Sequence, residues 1–302
     1  MPIALPDERQ PEVRVVLHGL PVGALDVSSA HVPVSLRPFM IGLHVDPTVI
    51  GNTTPGMPLR LDIFDAKEAA VALASIHLSV TGRVSLSQGV LLLVETTGCH
   101  NRCVSPPIRW WRYLLAARHA SRSAARGDRL RMSARDLRCL NAYYIVARPV
   151  FLVGVANDTS TNLFPMDLVG SLSSGEYLLT LRATSASIAV MEDSRRIAMS
   201  GAPAALHREV YALGKQHHMR SIEFASIPVA VRPSDLFGLP VLAQPGLVRE
   251  LTVTDAHRIG SHVLFVCTVA SEKGQTSRQL AHVSGMYGEW LARRARPVQS
   301  LA

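Results

Sequence analysis

The sequence predicts a mainly β protein: two β-rich regions, residues 1–105 and 145–302, joined by a basic helical connector at 106–144. Three observations carry this. Short apolar runs rich in Val, Ile and Leu recur through both regions, punctuated by Gly and Pro, as strands and turns require. Helical spacing is concentrated between Pro106 and Tyr143. The 302 residues, 48% hydrophobic and 18% charged, suffice for one large or two ordinary cores and exclude a disordered chain.

In the first region the strands read HVPVSLRPFMIGLHV (31–45), LRLDIF (59–64), ASIHLSVTGRVSL (74–86) and GVLLLVETTG (89–98). DAKEAAVALA (65–74) reads either way, since alanine favours helix while its neighbours look like strands. Cys99, His100 and Cys103 put three soft ligands within five residues. No second such group completes a tetrahedral zinc site, so this stretch reads as a loop between a strand and a helix, with no metal.

The connector opens on Pro106 and Pro107. Ile108, Trp111, Leu114, Leu115 and Arg118 then follow helical spacing, so residues 107–124 read as an amphipathic helix ended by Gly127. Ser133 with Asp136 three residues on resembles a capping box and opens a second helix through about Tyr143, closed by Arg148-Pro149. Of the 31 Lys and Arg residues only Lys67, Lys215 and Lys273 are lysines, and the net charge is +8. Arg109, Arg112, Arg118 and Arg122 with Trp110, Trp111 and Tyr113 offer phosphate contacts and stacking, as nucleic-acid binding would need. No nucleic-acid motif accompanies them, so the preferred reading is aromatics packed in a core or subunit interface and a solvated arginine face.

The second region gives VFLVGVA (150–156), EYLLTLRA (176–183), SIAVME (187–192), RIAMS (196–200), IPVAVR (227–232), LVRELTVTDAHRIG (247–260) and SHVLFVCTVA (261–270). These short strands with antiparallel returns imply a closed or nearly closed barrel, interrupted by a helical insert at 206–219. An internal echo, Arg37-Pro38-Phe39-Met40-Ile41-Gly42-Leu43 against Arg148-Pro149-Val150-Phe151-Leu152-Val153-Gly154, raises a duplicated barrel.

Polar residues gather where these strands end. A polar turn over 157–162 precedes Leu163-Phe164-Pro165. Its Ser160 and Thr161 hydroxyls and backbone N–H groups suit an anion, and the Asn162 amide suits a heteroaromatic edge. Arg182 with Thr184, Ser185 and Ser187 sets one permanent cation beside three hydroxyls, a composition matching a phosphate monoester. Ser, Thr and Asn also serve ordinary turns and caps, and both readings stand at this level.

The order strand, Ser-Thr-Asn-x-x-Pro, strand, Arg-x-Thr-Ser-x-Ser, strand ending at Pro203, then GSHVLFVCTVAS (260–271) and LAHVSGMYGEWL (280–291), resembles the flavin reductase family with its FMN-binding split barrel, over residues 145–292. The resemblance implies that Ser160, Thr161, Asn162 and Pro165 meet the flavin ring or ribityl chain and that Arg182, Thr184, Ser185 and Ser187 hold its phosphate. Lys215, His217 and His218 of the insert are placed as further ligand contacts, and His282 with Tyr287 either reaches the flavin edge or packs. It implies FMN, with FAD as the alternative, NAD(P)H as co-substrate, and a homodimer. The implied activity is electron transfer from NAD(P)H to flavin or a small acceptor, the alternative being a non-catalytic flavin- or haem-binding barrel. Met199-Ser200-Gly201-Ala202-Pro203 and Ser284-Gly285-Met286-Tyr287-Gly288 depart from the family's usual residues, which bears on activity more than on fold. The apolar runs are far shorter than the ~20 residues of a membrane span, and residues 1–13 do not read as a signal peptide, so the expected location is the cytoplasm.

Overall fold

The computed structural model of the chain describes residues 1–5, 13–51, 53–68, 71–125, 131–172, 175–214, 219–244, 246–275 and 278–294. The first region contains β1 (Pro2–Leu5), β2 (Val13–Leu20), β3 (Gly23–Asp26), β4 (His31–Leu36), β5 (Phe39–Val45), the short helix α1 (Pro47–Ile50), β6 (Pro58–Asp65), β7 (Ala72–Ser85) and β8 (Val90–Asn101). The connector forms α2 (Pro106–Ala125) and α3 (Ala134–Tyr143). The second region follows with β9 (Arg148–Pro149), β10 (Phe151–Asn157), β11 (Ser160–Met166), β12 (Val169–Ser171), β13 (Glu176–Arg182), α4 (Ser187–Ser194) and β14 (Arg196–Gly201). It ends with α5 (His207–Leu213), β15 (Val231–Pro233), β16 (Pro240–Leu242), β17 (Leu247–Ile259), β18 (His262–Gly274), β19 (Gln279–His282) and α6 (Gly285–Arg293).

Two seven-stranded antiparallel sheets dominate, ordered β3-β2-β6-β7-β8-β5-β4 and β11-β10-β14-β17-β18-β13-β12. In the second sheet β11 and β12 lie at opposite edges, yet only Asp167 and Leu168 separate them in sequence. A link that short forces the sheet to curl until its two edges meet, which defines a split β-barrel. The first sheet meets the same constraint through residues 27–30 between β3 and β4. Position for position the two strand orders are the same, so the fold repeats within the chain. The echo read from the sequence pairs strands that are not equivalent: Arg37-Pro38 leads into β5, whose counterpart is β13, and Arg148-Pro149 leads into β10, whose counterpart is β2. The duplicated barrel is therefore present, and it lies in topology: the side-chain echo raised it on the wrong pair of strands.

Each barrel has its own core. Phe151, Phe164, Tyr177, Met191 and Phe265 fill the second. The first is filled by Phe39, Ile41, Leu61 and Ile63, with Tyr143 of α3 and, from the end of the chain, Met286, Tyr287 and Trp290 of α6. A small sheet, β1-β19-β9, ties the chain's beginning to its last strand. The barrels meet through a third apolar cluster in which equivalent strands face one another: Val32 and Val34 of β4, Met40 of β5 and Leu91 of β8 against Leu178 of β13, Ile259 of β17 and Leu264 and Val266 of β18. This is the self-complementary arrangement of a two-fold interface, here made within one chain.

Four local expectations are corrected. SIAVME is the helix α4, not a strand: Ile188, Val190 and Met191 are buried while Ala189 is exposed, and Arg195 closes the helix in the left-handed region at φ 55°. The β-branched residues suggested a strand, but the i, i+3 burial is helical. The polar turn is only Asp158-Thr159, because Asn157 pairs with Ser160 and the strand β11 already begins there. Cys99 and His100 belong to β8, with Cys99 hydrogen-bonded to Cys139 of α3. Trp110 and Trp111 are 67% and 52% exposed and Leu115 is exposed as well, so they fill no core, whereas Ile108 and Tyr113 pack against the first barrel. Arg112 pairs with Glu289 of α6 at 3.0 Å. The cap at Ser133 forms, its hydroxyl accepting from the Asp136 N–H, and the Asp136 carboxylate accepts the Phe39 N–H at 3.2 Å, docking α3 on β5. DAKEAAVALA resolves into the start of β7 from Ala72.

Two buried histidines sit where the barrels meet. His31 opens β4 and bonds Tyr143 Oη through Nδ1 at 2.6 Å, and His262 opens β18 and accepts the Leu36 N–H through Nδ1 at 3.4 Å. Burial, with the charge of Arg148, pushes His31 down to about 3, and burial, with the charge of Arg182, pushes His262 down to about 4, from an ordinary 6.5. A histidine with a lowered folded pKa binds fewer protons than its unfolded counterpart, so stability falls as pH drops below 6.5 and stops falling near the folded value. Urea unfolding between pH 6.5 and 4.5 is expected to lose ~1.4 kcal/mol per pH unit per histidine, and His262→Gln to remove one proton from that slope. An unchanged slope would refute the assignment.

Candidate functional site

The site forms where β11, the end of β13 and the start of α4 come together. Pro165 is tolerated in β11 because that strand is a sheet edge, where no ladder donor is lost. The outer edge of β11 is covered by the segment after the insert, with the Ile222 N–H donating to Thr161 O at 3.0 Å and the Thr161 N–H to Ser221 Oγ at 3.3 Å. At the hairpin, Asn157 Oδ1 accepts the Thr159 N–H and Asn157 Nδ2 donates to Asp193 of α4 at 3.0 Å, so strand and helix are tied at one end.

Asn162 ties them at the other. It is fully buried, its Nδ2 donates to Ser187 Oγ at 3.2 Å and to Met219 O at 2.8 Å, and its Oδ1 accepts the Leu163 N–H at 2.8 Å. The two polar groups singled out in the sequence thus share one hydrogen bond. Ser160, Ser185 and Ser187 are buried, Thr161, Pro165 and Arg182 half-buried, and Thr184 exposed. Arg182 ends β13 opposite His262, and its carbonyl accepts the Ser185 N–H at 2.9 Å to close the turn into α4. Ser185 Oγ accepts the Ser187 N–H at 3.4 Å, while the N-cap residue Ala186 supplies no side-chain cap. The helix start carries its partial positive charge beside the Arg182 cation and the exposed Thr184 hydroxyl. Lys215, His217 and His218 lie outside the described residues. Among the described residues no group of three His, Cys, Asp or Glu side chains is placed to hold a metal ion, and no helix is long and apolar enough to cross a membrane.

A second polar constellation was missed in the sequence. Asp167, in the link between β11 and β12, lies 2.6 Å from His282 Nδ1, and the stacked Tyr211 of α5 places its hydroxyl 2.5 Å from His282 Nε2. Tyr144 donates to Asp167 at 3.0 Å. Burial raises the Asp167 pKa, but the hydrogen bond and charge of His282, the Tyr144 hydroxyl and the Arg148 charge outweigh it and hold the carboxyl below its ordinary value. An ionised Asp167 keeps the proton on Nδ1, so Nε2 accepts from Tyr211, whose own pKa is pushed up to about 12 by burial and the Asp167 charge. The Tyr211 phenol and the His282 imidazole of this series border a cavity of about 520 Å³. The partners are 71 and 115 residues from His282, so no local spacing could have announced them. Tyr287 is not among them, since it stacks on Trp290 in the first core.

No protein-family model and no curated protein matches the chain. Among solved structures it is similar, over about half its length, to flavin reductase and FMN-binding proteins. An FMN-binding protein from Thermus thermophilus with bound p-hydroxybenzaldehyde shares 22% identity over 42% of this chain and 72% of that one, at a TM-score of 0.38. An NADH:FAD oxidoreductase from Streptomyces globisporus shares 13% identity over 55% and 92%, at 0.45. The flavin reductase component of a bacterial two-component tryptophan halogenase shares 18% over 51% and 95%, at 0.45. The split-barrel architecture of this chain is established by its own strand order.

Proposed function

We propose that the second barrel binds FMN and acts as a flavin-dependent oxidoreductase using NAD(P)H. The observation that carries this is the Asn162–Ser187 hydrogen bond, which fixes β11 against the start of α4 with Arg182 at its side. The donors suit a phosphate monoester: Arg182 supplies the cation, Thr184 and Ser185 the hydroxyls, and the first turn of α4 its backbone N–H groups. Asn162 and Ser187 are engaged with each other, and their part is to hold the cradle. Bound flavin supplies the redox chemistry, accepting hydride from the nicotinamide and passing electrons on. Thr161 and Pro165, half-buried on β11, are the groups proposed to border the ring.

The test is titration of the purified chain with FMN, followed by visible absorbance and by bleaching with NADH or NADPH in the absence of oxygen. Arg182→Ala is expected to weaken FMN binding about tenfold or more, as losing a charge-assisted contact of roughly 1.5–3 kcal/mol requires. An unchanged affinity would remove Arg182 from the site. Tight FMN without bleaching would favour the non-catalytic alternative, and a Soret band a haem protein. The two barrels already make within one chain the pairing a homodimer would supply, so sizing the protein in solution decides whether the proposed homodimer forms. Cell fractionation tests the proposed cytoplasmic location.

A further inference from the structure

A second cavity, about 510 Å³, opens between the two barrels. It shares no residue with the proposed cradle of Asn162, Arg182, Thr184, Ser185 and Ser187 and none with the Tyr211 cavity. Arg148 reaches it from β9 and His31 from β4, with Ser28 and Ser171 on its walls. The apolar part of the lining comes from residues such as Leu5 and Val269. That volume is in the range of sites for small organic molecules.

Arg148 is the informative residue. It is only 5% exposed, and one guanidinium nitrogen donates to Val169 O, but its Nε is buried with no hydrogen-bond partner. Among the described residues no carboxylate pairs with it. Asp167 is near enough for the two charges to sense one another, yet the two form no ion pair, and Asp167 Oδ2 is taken by both His282 and Tyr144. The Tyr143 ring, 5.8 Å from the guanidinium carbon, offers a π-face and no counter-charge. Leaving a buried cation unpaired is costly, by several kcal/mol in general, unless an anion completes it. The other charges on the wall are committed. Arg249 pairs with Glu272 at 2.7 Å and lies over the Tyr177 ring, and Glu176 accepts the Ser87 N–H at 3.0 Å.

We propose that this inter-barrel cleft is a binding site for a small organic carboxylate with an apolar body, its carboxylate held by the Arg148 guanidinium. One uncommitted cation matches a monoanion better than a phosphate dianion, and the Ser28 and Ser171 hydroxyls can serve the second carboxylate oxygen. The hydrocarbon part lies against Leu5 and Val269.

Calorimetric titration of the full chain tests this with three probes: cyclohexanecarboxylate, its neutral amide, and inorganic phosphate. The carboxylate is expected to bind at least tenfold more tightly than the amide, and phosphate more weakly than the carboxylate. Arg148→Met should abolish the preference for carboxylate over amide. Because Arg148 is buried, a second variant guards against a folding artefact: Ser171→Trp, at an exposed rim position, should block the cleft to both organic probes while thermal unfolding and FMN titration remain as in the parent. Equal binding of carboxylate and amide, tighter binding of phosphate, no binding of any probe, or binding unaffected by Ser171→Trp would each overturn the assignment.

Discussion

Asn162→Ala is expected to lower the unfolding free energy by about 2–4 kcal/mol and to abolish flavin binding together with it. The side chain is fully buried and serves three partners on three segments: Ser187 of α4, the Met219 carbonyl after α5, and its neighbour Leu163 in β11. Alanine removes all three bonds and leaves the Met219 carbonyl and the Leu163 N–H to find new partners where water has little access, which is why the loss exceeds that of one ordinary hydrogen bond. The control is Thr184→Ala. That hydroxyl is exposed, so stability should change by no more than ~0.5 kcal/mol while FMN affinity falls. Urea unfolding and FMN titration on both variants separate a brace from a ligand contact. If Asn162→Ala kept both stability and affinity, the β11–α4 junction would not be what holds the cradle.

The contrast between these two residues marks what could be read from the sequence. Residue types suited to a phosphate are visible in Arg182, Thr184 and Ser185 because they fall within four residues of chain, and the hairpins β7–β8 and β17–β18 are visible because their strands are long, apolar and adjacent. Whether a hydroxyl or amide faces ligand or protein depends on what a distant segment brings to it. Asn162 carries the residue type of a ligand contact, yet Met219, 57 residues on, takes one of its donors. The same limit hid the Tyr211–His282–Asp167 series and misaligned the repeat: a duplicated barrel was legible, but on strands that are not equivalent, since two sheets can share one strand order with different residues on their strands. Trp110 and Trp111 show the converse: large aromatics at helical spacing suggested a packed face, but α2 turns Ile108 and Tyr113 inward and leaves those two rings exposed.

Gly154→Ala should be among the damaging single-methyl changes in the second barrel, costing about 3 kcal/mol, the upper end of overpacking. Gly154 sits mid-strand in β10, between Leu163 of β11 and Ala198 of β14, where backbone freedom alone would not call for glycine. The reason is proximity: a Cβ there would stand 1.9 Å from the Pro240 carbonyl oxygen and 2.9 Å from its carbonyl carbon. Pro240 begins β16 and cannot easily withdraw. The Glu250 carboxylate accepts from the Ser234 hydroxyl at 2.6 Å and from the Leu236 and Phe237 N–H groups, fastening the approach to β16, and Leu239 and Val241 are buried against Ala198 and Val248. An added methyl must therefore either bend β10 or lift the β15–β16 insert from Glu250. The two routes are distinguishable by a double-mutant cycle with Glu250→Gln. If the insert lifts, Glu250→Gln has already loosened it and the two costs should fall short of additive by about 1 kcal/mol. If β10 bends instead, the costs add, and FMN affinity should drop, because the next residue, Val155, pairs with Asn162. Either result places the insert as a wall of the barrel, whereas a Gly154→Ala variant as stable as its parent would show that the strand and the insert do not touch.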